Sequence, residues 1–102
     1  MITASFFDSG RAFEIKGHSG SSKSGNDIIC ASVSSAAYMT ANTITDIIGA
    51  KADIKVRDGY MRFRLTESNA EAERLIEGLE LHMKELSKQY PKNVIRLKLK
   101  SK

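Results

Sequence analysis

The chain has 102 residues, 16 of them basic and 12 acidic for a net charge of +4, and 41% of them are hydrophobic. That length supports one modest core and not two, so a single domain over residues 1–102 is expected. No apolar run approaches the ~20 residues of a membrane span, MITASFFDSG lacks the basic region and apolar core of an export signal, and one cysteine cannot staple a fold, which together point to a soluble, cytoplasmic protein with a reduced thiol.

The positive charge favours polyanions, but much of the excess sits in the last eleven residues, KNVIRLKLKSK, which carry five basic and no acidic residues. No RNP, zinc-finger or helix-turn-helix signature accompanies them. A basic, solvated strand and tail is the simpler reading, and nucleic acid is not required.

In chain order, ITASFF and AFEIK read as two strands joined by the turn formers DSGR, a hairpin. After a Gly/Ser segment, Asp27 offers an N-cap to a helix whose positions Ile29, Val33, Ala36, Ala37, Thr40, Ile44, Ile47 and Ile48 recur at helical spacing up to Gly49. Small residues crowd its first half, CASVSSAA, and allow close packing on a sheet. In KADIKVRDGYMRFRL, Asp58-Gly59 signals a second hairpin. Setting Arg57 opposite Tyr60 pairs Val56 with Met61, Ile54 with Phe63 and Ala52 with Leu65 on an apolar face, and Asp53 with Arg64 on the other.

A second helix opens at Ser68, with Glu71 completing a capping box, and its stripe Ala72, Ile76, Leu79, Met83, Leu86, Tyr90 runs to Pro91. Finally VIRLKLK alternates Ile95, Leu97 and Leu99 with Arg96, Lys98 and Lys100, a half-buried strand. The order ββαββαβ implies an α+β fold: a five-stranded mixed sheet with two helices.

The chemistry concentrates in GHSGSSKSGNDIIC, residues 17–30, which holds three of the seven glycines, four serines, one of the two histidines and the sole cysteine. A P-loop needs G-x-x-x-x-G-K-[ST]; here Ser22 stands where the second glycine belongs, Gly25 and Asn26 separate Lys23-Ser24 from the cap, and the flanking strands form hairpins instead of a parallel unit. A metal site from His18, Asp27 and Cys30 has poor ligand spacing. A Cys/His pair fits better. With Asp27 as cap, Cys30 falls in the first turn, where unpaired amides and the helix dipole stabilise a thiolate, and the short loop permits His18 to fold back within proton-transfer reach. The competing reading keeps Cys30 as a small packed residue and His18 as a loop residue. These residues alone leave the two open.

The pattern resembles the bacterial ribosomal-processing cysteine proteases, called Prp. Members share a Gly-His near the end of the second strand, a variable loop, then Gly-x-Asp, two branched aliphatic residues, Cys-Ala, and a Ser four residues after the Cys. Here those are Gly17-His18, Gly25-Asn26-Asp27-Ile28-Ile29-Cys30-Ala31 and Ser34. The resemblance covers the whole chain. It implies a cytoplasmic, homodimeric endopeptidase that removes an N-terminal extension from large-subunit ribosomal protein number twenty-seven, with no cofactor and no metal. Carried over, Cys30 is the nucleophile, His18 the general base and acid, and Asp27 a third member or helix cap. The loop SGSSKSGN departs from the family in lacking an aromatic residue often found there.

On that reading a Cys30 thiolate attacks the scissile carbonyl, His18 protonates the leaving amine, and first-turn amides, including that of Cys30, form the oxyanion hole. Ser34, one turn on, supports the site or bonds back to its own helix. Gly17, Gly20 and Gly25 let the loop move over bound peptide. His82, beside the second helix's stripe, has no partner at helical spacing and reads as structural. The rival function is a non-catalytic ribosome- or RNA-binding module in which the basic tail does the binding.

Overall fold

A computed structural model describes residues 1–17 and 24–99, with residues 24–27 described as helical backbone only. The elements follow the expected order: β1 (Ile2–Phe7), β2 (Ala12–Lys16), α1 (Ser24–Asn42) continuing as a π-helical segment (Thr43–Ile48), β3 (Ala52–Arg57), β4 (Tyr60–Leu65), α2 (Ala70–Gln89) and β5 (Val94–Lys98). The five strands form one mixed sheet in the order β3-β4-β2-β1-β5, antiparallel except where β5 runs parallel to β1.

The second hairpin adopts the register that its alternation dictates: Arg57 faces Tyr60, Val56 faces Met61, Ile54 faces Phe63 and Asp53 faces Arg64. Through β4 and β2 this apolar row continues to Phe13 and Ile15, then to Phe6 and Ala4. Phe13 stacks on Phe63 at 5.1 Å between centroids, and both are fully buried. Each such aromatic contributes about 1.5–3 kcal/mol through its buried area. Both helices cover this one face, because every strand residue of the main core cluster belongs to it, joined by Ile29, Val33, Ala37, Ile44, Ile76 and Met83. The opposite face of the sheet carries no helix among the described residues.

Four expectations need correction. First, α1 begins at Ser24, before the anticipated cap Asp27. The run S-G-N-D offers several cap-forming residues in succession, so the sequence does not single one out. Second, α1 does not stay α-helical to Gly49: a π-helical segment follows Asn42, and the left-handed Gly49, at φ +80°, closes it by donating its N–H to the Ile44 carbonyl. The wider turn keeps Ile44 buried but leaves Ile47 79% exposed. Third, α2 is capped by Asn69, not Ser68. The Asn69 side chain accepts from the Ala72 amide at 2.9 Å, and Glu73, in place of Glu71, accepts from the Asn69 amide at 3.2 Å. The α2 stripe itself is as read, with Ala72, Ile76, Leu79, Met83 and Leu86 buried and Tyr90 packed against them.

Fourth, β5 presents the opposite face. Its parallel register sets Val94 beside Ile2, so Val94 and Arg96 face the helices while Ile95 and Leu97 lie exposed on the other side. A one-residue choice of register inverts every side chain, and the Ile95/Leu97 alternation is outweighed by Val94 and by Arg96 reaching Glu80 of α2 at 3.4 Å. At the other edge, Ile54 and Val56 keep their apolar face but extend beyond the helical layer, 41% and 49% exposed.

Asn69→Ala should lower stability by about 1 kcal/mol, while Ser68→Ala should have little effect. Urea unfolding of the two variants measures the difference, and the reverse order would place the cap at Ser68.

Candidate active site

The site is built where β2 ends. Gly17 follows Lys16 at φ +87°, a conformation that favours glycine, and a Cβ at that position would strike the carbonyl oxygen of Met1. Its amide donates to the Gly59 carbonyl at 3.0 Å, tying the strand end to the β3–β4 turn. From this anchored glycine the chain enters His18. His18 and Gly20 lie outside the described residues, Gly25 and Asp27 are described only as helical backbone, and the loop-motion role of the glycines lies outside them too.

Cys30 stands on α1, half-buried and packed against the core. With the helix beginning at Ser24, Cys30 is about two turns in. Its amide therefore belongs to the helical ladder, not to the unpaired first turn, and the dipole's effect, which fades within the first turn, is weaker there than a cap at Asp27 implies. Asp27, three residues before Cys30, is inside the helix and not at its cap.

Cys30, Ser34 and Tyr38 form one wall of an open cleft of about 270 Å³. Ser34 is exposed, one helical turn beyond Cys30. The back-bond seen nearby belongs to Ser32, whose hydroxyl donates to the Ile28 carbonyl at 2.9 Å. The buried side chains of Ile15, Val33 and Met61 also line the cleft, and so does Gly17. Gly17, Cys30 and Ser34 are thus brought together, as their shared motif implies.

The second wall was not legible as part of a site. It is the turn Arg57-Asp58-Gly59-Tyr60, which the sequence shows only as a hairpin. Tyr60 donates its hydroxyl proton to Glu14 at 2.7 Å, and the Arg57 guanidinium lies 4.3 Å from the centre of the Tyr60 ring. Glu14 is only 6% exposed although its strand face carries no helix. Arg62, which faces it across β2 and β4, carries its own guanidinium over the Phe7 ring at 5.7 Å. The bond to Glu14, with burial second, raises the Tyr60 pKa above the ordinary 10.0. A signal did exist: an acidic residue in the middle of the apolar strand AFEIK demands a partner.

His82 is exposed on α2 in a groove between the two helices, beside Met39 and Leu79, and does not line the Cys30 cleft. Among the described residues no three histidine, cysteine or acidic side chains are placed to hold a metal ion, and no helix is long and apolar enough to cross a membrane.

A two-layer α+β fold with a single thiol on the wall of an open cleft is an arrangement suited to a small cysteine hydrolase. The chain belongs to the cysteine protease Prp family, whose model matches residues 1–95, and it is accordingly a cysteine protease. It is 28% identical over 90 residues to the ribosomal processing cysteine protease Prp of Bacillus subtilis, covering 81% of this chain and 80% of that one. Among solved structures it resembles SMU.848 from Streptococcus mutans, with a TM-score of 0.87 at 25% identity over 99% of this chain and 96% of that one. It also shares its fold with the essential ribosomal processing protease Prp from S. aureus, solved in complex with a covalently linked product peptide: the TM-score is 0.86 at 24% identity, over 97% of this chain and 100% of that one.

Because its folded-state pKa is raised, Tyr60 contributes stability that is present below pH 10 and lost as pH rises through the higher folded value. Ultraviolet titration should show one of the three tyrosines ionising late, and Tyr60→Phe should remove that component. A late component that survives in Tyr60→Phe would contradict the bond to Glu14.

Proposed function

We propose that this cysteine protease, acting as a single domain over residues 1–102, removes the N-terminal extension of the precursor of bacterial large-subunit ribosomal protein number twenty-seven. The observation that carries the reading is the position of Cys30: on the wall of an open cleft, facing a turn that is tied to Gly17, the residue from which the chain enters His18. The named relative in Bacillus subtilis is a ribosomal processing protease, and the S. aureus protein of the same fold carries a covalently linked product peptide.

The chemistry is acyl transfer. The sulfur of Cys30 attacks the scissile carbonyl carbon, the tetrahedral intermediate collapses with cleavage of the C–N bond, and His18 gives the proton it took from the thiol to the departing amine. Water, deprotonated by His18, then hydrolyses the thioester and returns the thiol. Asp27 is the third member, holding the imidazole in orientation. The oxyanion donor is a group other than the Cys30 amide, which lies inside the helical ladder. Ser34 sits beside the thiol as a supporting polar group.

The enzyme works in the cytoplasm as a homodimer without metal or organic cofactor. Ile54 and Val56 at one sheet edge, and Ile95 and Leu97 at the other, are apolar surface that a second copy would cover. The alternative of a non-catalytic RNA-binding module has no observation in its favour, since the chain belongs to a protease family.

Incubation with the full-length ribosomal precursor should yield a single shortened product. Cys30→Ala should abolish it, a loss on the order of the 10⁴-fold or more typical of removing a covalent nucleophile. Undiminished cleavage by Cys30→Ala would assign the nucleophile elsewhere, and failure of the native enzyme to cut this precursor would assign the substrate elsewhere.

A further inference from the structure

A sheet packed by helices on one side presents its other side to something else, and alternation along the strands decides what that side carries. The residues that alternate with the core positions of β2, β3 and β4 include Lys16, Lys55, Arg57, Arg62 and Arg64. The register sets Lys55 directly opposite Arg62, and places Tyr60 between Arg57 and Lys16. Neighbours in this grid stand one strand, about 5 Å, or two residues, about 7 Å, apart. Like charges directly opposite on a sheet are destabilising, so the fold gains nothing from setting Lys55 against Arg62.

The acidic residues of the same face do not cancel this charge. Glu14 is buried and accepts the Tyr60 hydroxyl, and Asp53 is opposite Arg64, whose guanidinium is taken by Asp8 at 3.1 Å. Among the described residues Lys16, Lys55, Arg57 and Arg62 make no ion pair. Aromatic rings hold the two arginines instead: Arg57 lies over Tyr60 at 4.3 Å and Arg62 over Phe7 at 5.7 Å. A ring orders a guanidinium and leaves its charge in place.

The other layer has the opposite balance. Residues 24–48 and 70–89, the helical segments, hold seven acidic and three basic residues. A polyanion is therefore repelled from the helical layer and drawn to the bare face of the sheet. Cys30 stands on α1, in the helical layer, so a polyanion bound to the bare face leaves the thiol accessible.

We propose that the helix-free face of β2, β3 and β4 binds the phosphate backbone of RNA through Lys16, Lys55, Arg57 and Arg62, and holds the protease on RNA while Cys30 acts on peptide from the other side of the sheet. The choice of RNA among polyanions rests on the ribosomal-protein substrate proposed above, a class of protein assembled on RNA. Contact through phosphates positions the enzyme without reading sequence.

The test follows the anisotropy of a fluorescein-labelled, mixed-sequence single-stranded RNA titrated with the native protein. Four cations meeting four phosphates should give a slope of about −3 for log Kobs against log salt, a loss of about fiftyfold between about 50 and 200 mM. Lys16→Gln combined with Lys55→Gln should halve that slope and weaken low-salt binding by about tenfold or more, and either single variant carries the test if the pair unfolds on heating earlier than the native protein. Lys84→Gln combined with Lys88→Gln removes the same charge from α2 and should change binding by less than about twofold. Saturating RNA should leave the rate of Cys30 alkylation by iodoacetamide within about twofold. Undiminished binding in the Lys16/Lys55 pair, equal loss in the α2 pair, a blocked thiol, no salt-dependent binding by the native protein, or binding to phosphatidylserine vesicles in place of RNA would overturn the proposal. None of these readings uses cleavage, so they stand or fall separately from the assignment of the precursor.

Discussion

The pairing of β2 on both sides is the constraint from which the site follows. One edge of β2 bonds to β1 and the other to β4 in a register that sets Lys16 opposite Tyr60, so the next amide, that of Gly17, reaches the Gly59 carbonyl. The same register stacks Phe13 on Phe63 beneath the helices and brings the β3–β4 turn up as a wall. If β2 slipped by one residue, Phe13 and Ile15 would leave the core and Glu14 would enter it, which no compact arrangement tolerates without a partner. The geometry of the cleft is thus held by burial in the middle of the sheet.

The two sides of the sheet have divided the work. The helical side holds nearly all the buried apolar residues, and the other carries Glu14, Arg62 and Tyr60 as a polar assembly that stiffens the turn from behind. A buried carboxylate is costly alone and stable when it is hydrogen-bonded, and here its partner is the phenol that supports Arg57. Buried acid, phenol and cation form one continuous line on the face that carries no helix, behind the β3–β4 turn. This line gives a short hairpin a rigid, charged end.

Much of the fold was legible in the sequence because its signals were local and mutually consistent. Asp58-Gly59 fixed a turn, and the apolar alternation on either side left one register for β3 and β4. The stripe from Ala72 to Leu86 identified the buried face of α2. What failed was decided by long-range competition. Ile95 and Leu97 read as the inner face of β5, but pairing with β1 puts Val94 inside. Three successive residues, Ser68, Asn69 and then Ala70, precede or open α2, and only packing selects Asn69 as cap. For the site, Gly17, Cys30 and Ser34 were legible as a motif and line one cleft, whereas the β3–β4 turn was not, since it joins that cleft only through the pairing of the sheet. Glu14 was the one hint of that second wall.

The start of α1 also changes the chemistry. Placed about two turns inside the helix, Cys30 draws less from the helix terminus than a first-turn cysteine would, so activation of the thiol falls more heavily on a neighbouring base. The base proposed for this role is His18. Its most direct test is the rate of Cys30 alkylation by iodoacetamide at neutral pH in native enzyme and in His18→Ala, with thermal unfolding recorded for both. A fall of about tenfold or more in His18→Ala, in a protein that remains folded, is the predicted result. Equal rates in the two folded proteins would contradict the pair and leave Cys30 without the partner on which the acyl-transfer account depends.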